Sequence, residues 1–169
     1  MFQPNLGDHP SFYQKYIDLV SCENINDYEK NILPQIIHFF SALPVEKRYF
    51  RYQEGKWSIA EIIRHLMDTE RIFSYRSLWI VRKAEINLPP FDENKFASEA
   101  ALTNLNYISL LNELSFLLKA NLEFYKSLTT ENWKTSGLLN LNVCCVNSIF
   151  YFSIGHILHH INVCKERYL

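Results

Sequence analysis

The sequence predicts an all-α protein, a four-helix bundle preceded by an irregular N-terminal arm. Four stretches place apolar residues at helical spacing, only four of the 169 residues are glycine, and hydrophobic residues make up 48% of the chain. Apolar residues three and four positions apart share one helix face, and a scarcity of glycine favours helices over glycine-rich loops. A chain of this length typically builds one core, so we expect a single domain over residues 1–169.

The arm covers residues 1–23, where Pro4, Gly7 and Pro10 interrupt any regular element. One helical turn is expected within residues 13–19. Aromatic residues in this segment would pack the arm onto the body of the protein, namely Phe12, Tyr13 and Tyr16.

The first long helix is expected to begin at a cap formed by Asn26 or Asp27 and to end before Pro44. Pro34 conflicts with an uninterrupted helix, because an interior proline removes a backbone hydrogen bond and costs about 3 kcal/mol. Two alternatives follow: the helix kinks near Asn31, or a second segment begins with Pro34 in its first turn.

The second helix follows a connection at residues 44–56. Ser58 and Glu61 form the capping-box pattern S-x-x-E, which opens a run of apolar residues at helical spacing. The pattern predicts a helix from Ser58 to about residue 84, since Pro89 ends any helical interpretation.

The segment 88–98 is expected to be a loop with a short turn at residues 93–97. The third helix would be capped by Thr103 or Asn104 and would continue to about residue 128. Its buried face is predicted by apolar residues at helical spacing, namely Ile108, Leu111, Leu114, Leu118, Leu122 and Tyr125.

The last helix is predicted over residues 145–167, after a loop or small hairpin at residues 137–142. Gly155 lies inside this helix, where it costs up to about 1 kcal/mol relative to alanine. Such a glycine could allow a neighbouring helix to approach closely.

The candidate site starts from His156 and His160, which are four residues apart. On a helix they lie about 6 Å apart along the axis and about 40° apart around it, so both imidazoles leave one face. Two such imidazoles can bind one metal ion if a third ligand is available, and His65 lies among apolar residues of the second helix. The hypothesis is a three-histidine metal site between helices two and four. The alternative is that these histidines are exposed, or are satisfied by carbonyl and carboxylate groups.

Two carboxylates lie near His65 on the predicted helix. Asp68 could orient a metal-bound imidazole by accepting a hydrogen bond from it, or could complete the coordination, and Glu61 could also lie on this side. The alternative for Asp68 is an ion pair with Arg71 or Arg64, which we favour over direct ligation. The capping box accounts for most of the reason that a glutamate stands at position 61.

Other metal-binding residue types have weaker support. His159 lies about 100° around the helix from His160, and His9 and His38 have no supporting pattern. Cys164 is one turn beyond His160 and could supply a thiolate, although a buried and inert cysteine is the stronger interpretation.

Composition narrows the class of function. The net charge is −1 and no lysine- or arginine-rich block occurs, which disfavours nucleic-acid binding through a basic face. The N-terminus lacks the basic and apolar regions of a signal peptide, and no apolar run reaches about 18 residues, so no membrane span is expected. The cysteine spacing fits no disulfide framework or zinc ribbon, so a reducing compartment and a cytoplasmic location are expected.

Three segments resemble the DinB/YfiT-like family of metal-dependent helical bundles. Residues 56–73 are similar to the family's second-helix signature, and residues 155–169 to its closing segment. Residues 90–94, with the sequence PFDEN, are similar to the motif that follows the second helix. The resemblance covers about residues 20–169, and the two long motifs are specific.

This resemblance implies an up–down–down–up bundle, often a homodimer, with metal ligands at His65, His156 and His160. Family members carry zinc, nickel or another divalent ion. Some relatives are transferases or isomerases that use a low-molecular-weight thiol, and others are uncharacterised proteins linked to stress. Two departures occur: Cys144 and Cys145 stand where serine is frequent, and Cys164 stands where an apolar residue is usual.

Three neutral imidazoles would leave coordination positions open for water or a small-molecule substrate, whereas a structural site normally has four protein ligands. We therefore expect a metal-dependent enzyme that activates a nucleophile. Transfer of a low-molecular-weight thiol to a small electrophile is the first candidate, on family analogy alone, and metal-assisted hydrolysis is the second. The rival class is a non-catalytic, metal-stapled dimeric stress protein.

Overall fold

The computed structural model describes residues 3–83, 87–100 and 106–169. Most of these residues lie in helices, and one small antiparallel sheet is also present. The elements in chain order are α1 (Gln14–Ile17), α2 (Ile25–Asp27), a π-helical turn (Tyr28–Ile32), α3 (Leu33–Ser41), α4 (Ile59–Val81), α5 (Glu93–Glu99), α6 (Tyr107–Lys126), α7 (Thr130–Lys134), β1 (Ser136–Leu139), β2 (Asn142–Cys145) and α8 (Val146–Arg167).

The first long helical segment begins earlier than its predicted caps. Asn24 is the N-cap, and its side-chain oxygen accepts hydrogen bonds from the backbone N–H groups of Asn26 and Asp27, both at 3.0 Å. The prediction of Asn26 or Asp27 as the cap was therefore wrong. The side chain of Asn24 reaches two unpaired N–H groups of the first turn, which is the physical requirement for an N-cap.

The Pro34 conflict is resolved by a change of helix type. A π-helical turn (Tyr28–Ile32) separates α2 from α3, and α3 begins at Leu33, so that Pro34 lies in its first turn. Pro34 therefore lies in the first turn of α3, as in the second alternative, but the backbone stays helical through Ile32 and Leu33, and the N–H of Leu33 donates to the carbonyl of Tyr28. The π-helical turn accommodates the proline without a break in the helix. The helix ends at Ser41, slightly before the predicted end.

The predicted capping box opens α4. Ser58 Oγ accepts a hydrogen bond from the backbone N–H of Glu61 at 3.3 Å, and Glu61 Oε2 accepts one from the N–H of Ser58 at 2.7 Å. The helix ends at Val81, and Lys83 adopts φ = 53°, in the left-handed region that terminates helices. The predicted end near residue 84 lies outside the described residues.

Helix α6 begins at Tyr107, where Asn106 is the cap. The Asn106 side-chain oxygen accepts hydrogen bonds from the N–H groups of Ile108 at 2.8 Å and Ser109 at 3.3 Å. The predicted caps at residues 103 and 104 lie outside the described residues. The short turn predicted at residues 93–97 is helix α5, capped by Asp92.

The segment before α8 is a β-hairpin, which confirms one of the two structures expected near residues 137–142 and means that the protein is not strictly all-α. Strands β1 and β2 pair antiparallel, and Asn140 and Leu141 form the two-residue turn with φ of 49° and 63°. Positive φ at both positions suits the right-handed twist of the strands. An isolated hairpin is marginally stable, and this one is supported by Leu88, which bonds to the backbone of both Leu138 and Asn140.

The helices pack so that α4 lies beside α8. Both α3 and α4 pack against α6 and α8, and their apolar faces form one core. The core includes side chains that are at most 2% exposed, namely Phe40, Ile63, Leu66, Met67, Leu110, Leu114, Phe150 and Tyr151. Within the described residues, no helix is both long enough and apolar enough to cross a bilayer.

The N-terminal arm packs on α8 through α1. Tyr13 stacks on Phe152 with ring centroids 3.9 Å apart. A Cβ atom at Gly155 would overlap the carbonyl oxygen of Tyr16, so only glycine permits this approach. The close approach expected at Gly155 does occur, and its partner is the arm.

Candidate metal centre

Helices α4 and α8 bring the three predicted histidines to one point. His65 comes from α4, and His156 and His160 come from one face of α8. His156 Nε2 lies 3.3 Å from His65 Nε2 and 3.2 Å from His160 Nε2, and one nitrogen from each ring lies within 4.8 Å of the other two. We refer to these residues as the three-histidine cluster.

Burial holds the cluster neutral. His65 and His156 are buried and His160 is half-buried. Removal from water lowers the pKa of His65 to about 4. Burial and the neighbouring imidazoles lower the pKa of His160 to about 3 and hold that of His156 well below its usual range. A neutral imidazole keeps a lone pair on one nitrogen, which is the form that binds metals.

The described residues do not supply a satisfactory partner for every ring nitrogen of the three-histidine cluster. The Nε2 atom of His156 faces the Nε2 atoms of His65 and His160, and the buried Nδ1 atom of His156 has no hydrogen-bond partner among the described residues. Buried polar atoms are nearly always satisfied. A cation shared by three lone pairs meets this need for all three Nε2 atoms.

The nitrogen separations fit one ion. Zinc–nitrogen bonds of about 2.0 to 2.1 Å in tetrahedral geometry place two ligand nitrogens about 3.3 Å apart. Two of the three separations within the cluster, 3.3 and 3.2 Å, agree with this value, and the third is no more than 4.8 Å. The donor set is three neutral imidazoles, which suits borderline divalent metals.

Aromatic side chains enclose the cluster. The Trp57 ring lies 4.8 Å from the His65 ring, measured between centroids. Phe73 and Phe152 lie about the His156 ring at 6.2 and 6.0 Å. These rings limit access of bulk water and lower the local dielectric constant, which strengthens interactions with any charge placed there.

Residues 34–164 match the sequence pattern of the DinB superfamily. The chain belongs to the DinB superfamily. The fold is similar to that of the solved structure of YfiT from Bacillus subtilis, described as a probable metal-dependent hydrolase with an unusual four-helix bundle topology. The two are 15% identical, with a TM-score of 0.67 over 98% of this chain and 90% of YfiT. Among curated proteins, none matches this sequence.

In this DinB-superfamily chain the two carboxylates that could orient the imidazoles, Asp68 and Glu61, have other partners. Asp68 Oδ1 lies 3.8 Å from Arg71 Nη1, the ion pair favoured from the sequence. Glu61 caps α4 and also accepts a hydrogen bond from Arg51 at 2.6 Å. Burial opposes ionisation of Glu61, but the hydrogen bonds from Ser58 and Arg51 outweigh it and lower the pKa of the carboxyl. Neither carboxylate has a hydrogen bond to the cluster among the described contacts.

The remaining histidines and Cys164 lie outside the cluster. His159 packs edge-on against Tyr16 at 5.3 Å, and His9 is a buried packing residue bonded to Gln14 at 2.9 Å. Cys164 is buried, and burial raises the pKa of its thiol to about 12. A thiol with so high a pKa is a poor metal ligand, which agrees with the inert interpretation.

Glu70 is a buried carboxyl group that sequence reasoning missed. Its Oε1 accepts a hydrogen bond from Ser153 Oγ at 2.7 Å, and its Oε2 accepts one from Asn121 Nδ2 at 3.1 Å. Glu70 therefore links α4 to both α6 and α8 close to the cluster. Its spacing from Leu66 and Phe73, four and three residues away, places it on the buried stripe of α4 and could have identified it.

Arg76 is a second buried charged residue on the same helix that the sequence analysis did not single out. It follows Phe73 by three residues and precedes Ile80 by four, so helical spacing again places it on the buried face. A cavity of about 210 Å³ is lined by both Arg76 and His156. The cluster therefore adjoins a space that can admit a small molecule.

Proposed function

We propose that this protein is a metal-dependent enzyme in which His65, His156 and His160 hold one divalent ion. The observation that carries the proposal is the convergence of three neutral imidazoles beside a cavity of about 210 Å³. Zinc and nickel are the ions we propose, because neutral imidazole donors suit both. When bound, such an ion acts as a Lewis acid that lowers the pKa of a thiol or a water molecule.

The protein's own residues prepare the site for this chemistry. The helical spacing of His156 and His160 and the packing of α4 on α8 fix the three nitrogens before any ligand arrives. Because burial keeps the imidazoles neutral, they do not need to lose protons when an ion binds near neutral pH. Trp57, Phe73 and Phe152 exclude water from the reacting groups.

Thiol transfer is the first candidate reaction. A low-molecular-weight thiol loses its proton to solvent, its sulfur forms a bond to a carbon atom of a small electrophile, and the leaving group departs from that carbon with its bonding electrons. The support is the resemblance of residues 56–73 and 155–169 to relatives that use such thiols. Hydrolysis, with water as the nucleophile, is the second candidate, and YfiT's description as a probable metal-dependent hydrolase favours it.

We further propose an up–down–down–up bundle that forms a single domain and a cytoplasmic homodimer. The order of contacts supports the helix directions. From Arg71 to Ser77 along α4, the partner on α6 advances from Glu113 to Tyr125, as expected for parallel helices. Contacts of α4 with α8 run in the opposite sense, as do those of α6 with the π-helical turn and α3 taken together.

Metal content tests the ligand assignment. The protein is purified without added metal and analysed by inductively coupled plasma mass spectrometry, alongside His156→Ala, His160→Ala and the control His38→Ala. His38 is exposed on α3 and far from the cluster in sequence. We expect about one ion per chain in the wild type and in H38A, and a loss of most of the metal in the other two variants. A metal-free wild type that also binds no added zinc or nickel would refute the site.

Turnover distinguishes the candidate reactions from a purely structural ion. The metal-loaded protein is assayed with glutathione, cysteine or coenzyme A and 1-chloro-2,4-dinitrobenzene, and separately with 4-nitrophenyl esters. Thiol transfer predicts thiol-dependent chloride release that is lost in H160A, whereas hydrolysis predicts ester cleavage without thiol. A structural staple predicts no turnover in either assay and a large loss of stability on chelation.

A further inference from the structure

Arg76 is a buried cation on α4 whose role in the proposed reaction is unassigned so far. Only 7% of the residue is exposed. Its Nη2 donates a hydrogen bond to the Pro89 carbonyl oxygen at 2.9 Å, and its guanidinium also interacts with the Tyr13 hydroxyl. Both partners are neutral oxygen groups.

The charge of Arg76 has no counterpart among the described residues. No carboxylate in residues 3–83, 87–100 or 106–169 lies within 4 Å of its guanidinium. Burial lowers the pKa of Arg76, which reflects the cost of removing its charge from water. Buried charges are ordinarily paired, so a guanidinium that has no carboxylate partner among the described residues and lies beside a cavity is suited to bind an anion.

The cavity beside Arg76 also reaches the three-histidine cluster. It is lined by Arg76 and His156, and its walls include the rings of Phe73, Phe91 and Phe152. Its volume of about 210 Å³ is below the roughly 300 to 1,000 Å³ that is typical of ligand pockets. A benzoate-sized molecule with an apolar body therefore suits it better than a drug-sized one.

A single negative charge suits the cavity better than two. Glu93 also lines the cavity, and its side chain is exposed. Its carboxylate would repel a dianionic phosphate more strongly than a monoanion. The planar guanidinium of Arg76 matches the two oxygens of a carboxylate through paired N–H groups.

We propose that Arg76 is the specificity-determining residue of this cavity and that the substrate is a small carboxylic acid with an apolar body. Its carboxylate binds the Arg76 guanidinium, its body lies between the aromatic rings, and its reacting group lies on the His156 side. The orientation toward the cluster rests on the proposed function, whereas the anion site itself rests only on Arg76 and the cavity.

A structural role for Arg76 makes a different prediction. Its bond to Pro89 and its interaction with Tyr13 would then only tie the connection after α4 and the N-terminal arm to the helix. Removing such a tie weakens the binding of charged and neutral ligands alike. Binding of the substrate carboxylate instead predicts a change in the ratio between a charged ligand and its neutral analogue.

The test compares benzoate with benzamide, which has the same shape and no charge. Dissociation constants are measured by isothermal titration calorimetry on the full chain as the wild type, Arg76→Gln, Arg76→Lys and the control Arg82→Gln, an exposed arginine. We expect the wild type and R82Q to prefer benzoate by about tenfold, R76K to keep part of this preference, and R76Q to lose it. Equal affinities in the wild type, or an unchanged ratio in R76Q, would overturn the proposal.

If R76Q does not fold, a measurement on the wild type still tests the proposal. The guanidinium Nε–H resonance of Arg76 is followed by NMR during titration. At saturation, benzoate should shift it downfield through a hydrogen bond to the carboxylate, and benzamide should shift it by less. No shift at saturating benzoate would overturn the proposal without any variant.

The His160→Ala variant separates this proposal from the metal site, since His160 does not line the cavity. A benzoate preference that survives in H160A and is lost in R76Q assigns the anion to Arg76, whether or not the protein binds metal. A preference lost in H160A and kept in R76Q means that the ion binds benzoate, which overturns the role of Arg76 and leaves the metal site intact.

Discussion

Replacing Glu70 with glutamine should remove a specific part of the pH dependence of stability. Glu70 is 3% exposed and accepts hydrogen bonds from Ser153 and Asn121. Burial raises the pKa of its carboxyl from 4.5 to about 7, although the two hydrogen bonds act in the opposite direction. Glutamine has nearly the same shape and cannot ionise.

The sign and size follow from this pKa difference. In the unfolded chain the carboxyl titrates near 4.5, whereas in the folded protein it holds its proton up to about pH 7. The stability contributed by the protonated carboxyl is complete below pH 4.5 and is lost as the pH rises through about 7. At 1.36 kcal/mol per pKa unit the full loss is about 3 kcal/mol, and most of it falls between pH 5 and pH 8.

The assay is urea denaturation of the wild type and E70Q at several pH values from 5 to 8, with a chelator present. E70Q should become more stable relative to the wild type by about 2 to 3 kcal/mol across this range. The three histidines are present in both proteins, so their contributions cancel in the difference. Glu123→Gln, at an exposed position on α6, is the control and should track the wild type. A difference between E70Q and the wild type that is flat, or that shrinks as the pH rises, would refute the reasoning.

Three further predictions concern packing, backbone strain and metal removal. Gly155→Ala should lower the free energy of unfolding by about 2 kcal/mol and speed proteolysis of the arm, because a Cβ atom overlaps Tyr16; equal stability would contradict this packing. Leu141→Gly should raise the free energy of unfolding by about 1 kcal/mol by relieving its positive φ, whereas the strand control Leu138→Gly should lower it. Zinc at one hundred times its dissociation constant should add about 2.7 kcal/mol, reversed by a chelator; an equal response in His160→Ala would place the ion elsewhere.

Local signals predicted some helix starts well and others poorly. The capping box of Ser58 and Glu61 gave the start of α4, because both partners lie within one turn. The first helix was placed two or three residues late, since Asn24, Asn26 and Asp27 are all residue types that can cap. Which of them caps depends on where the packed helix begins, and a local pattern does not contain that information.

The buried charged residues near the site were the main feature that the sequence did not predict. The charge of Glu70 and of Arg76 suggests an exposed position, although their spacing places both on the apolar stripe of α4. The free-energy cost of burying a charged group is offset only when a distant residue or a ligand forms a hydrogen bond or an ion pair with it. For Glu70 those partners are Ser153 and Asn121, 83 and 51 residues away in sequence.

The sequence by itself determined the four long helical segments, the shared face of His156 and His160, and the candidate role of His65. These features depend on the fixed geometry of a helix, which is the same wherever the helix occurs. The tertiary structure alone decided that the three nitrogens lie within 4.8 Å of one another, that Tyr16 occupies the space at Gly155, and that a cavity joins the cluster to a buried arginine. Such contacts join residues far apart in the chain, so they depend on how the helices pack and not on any local pattern.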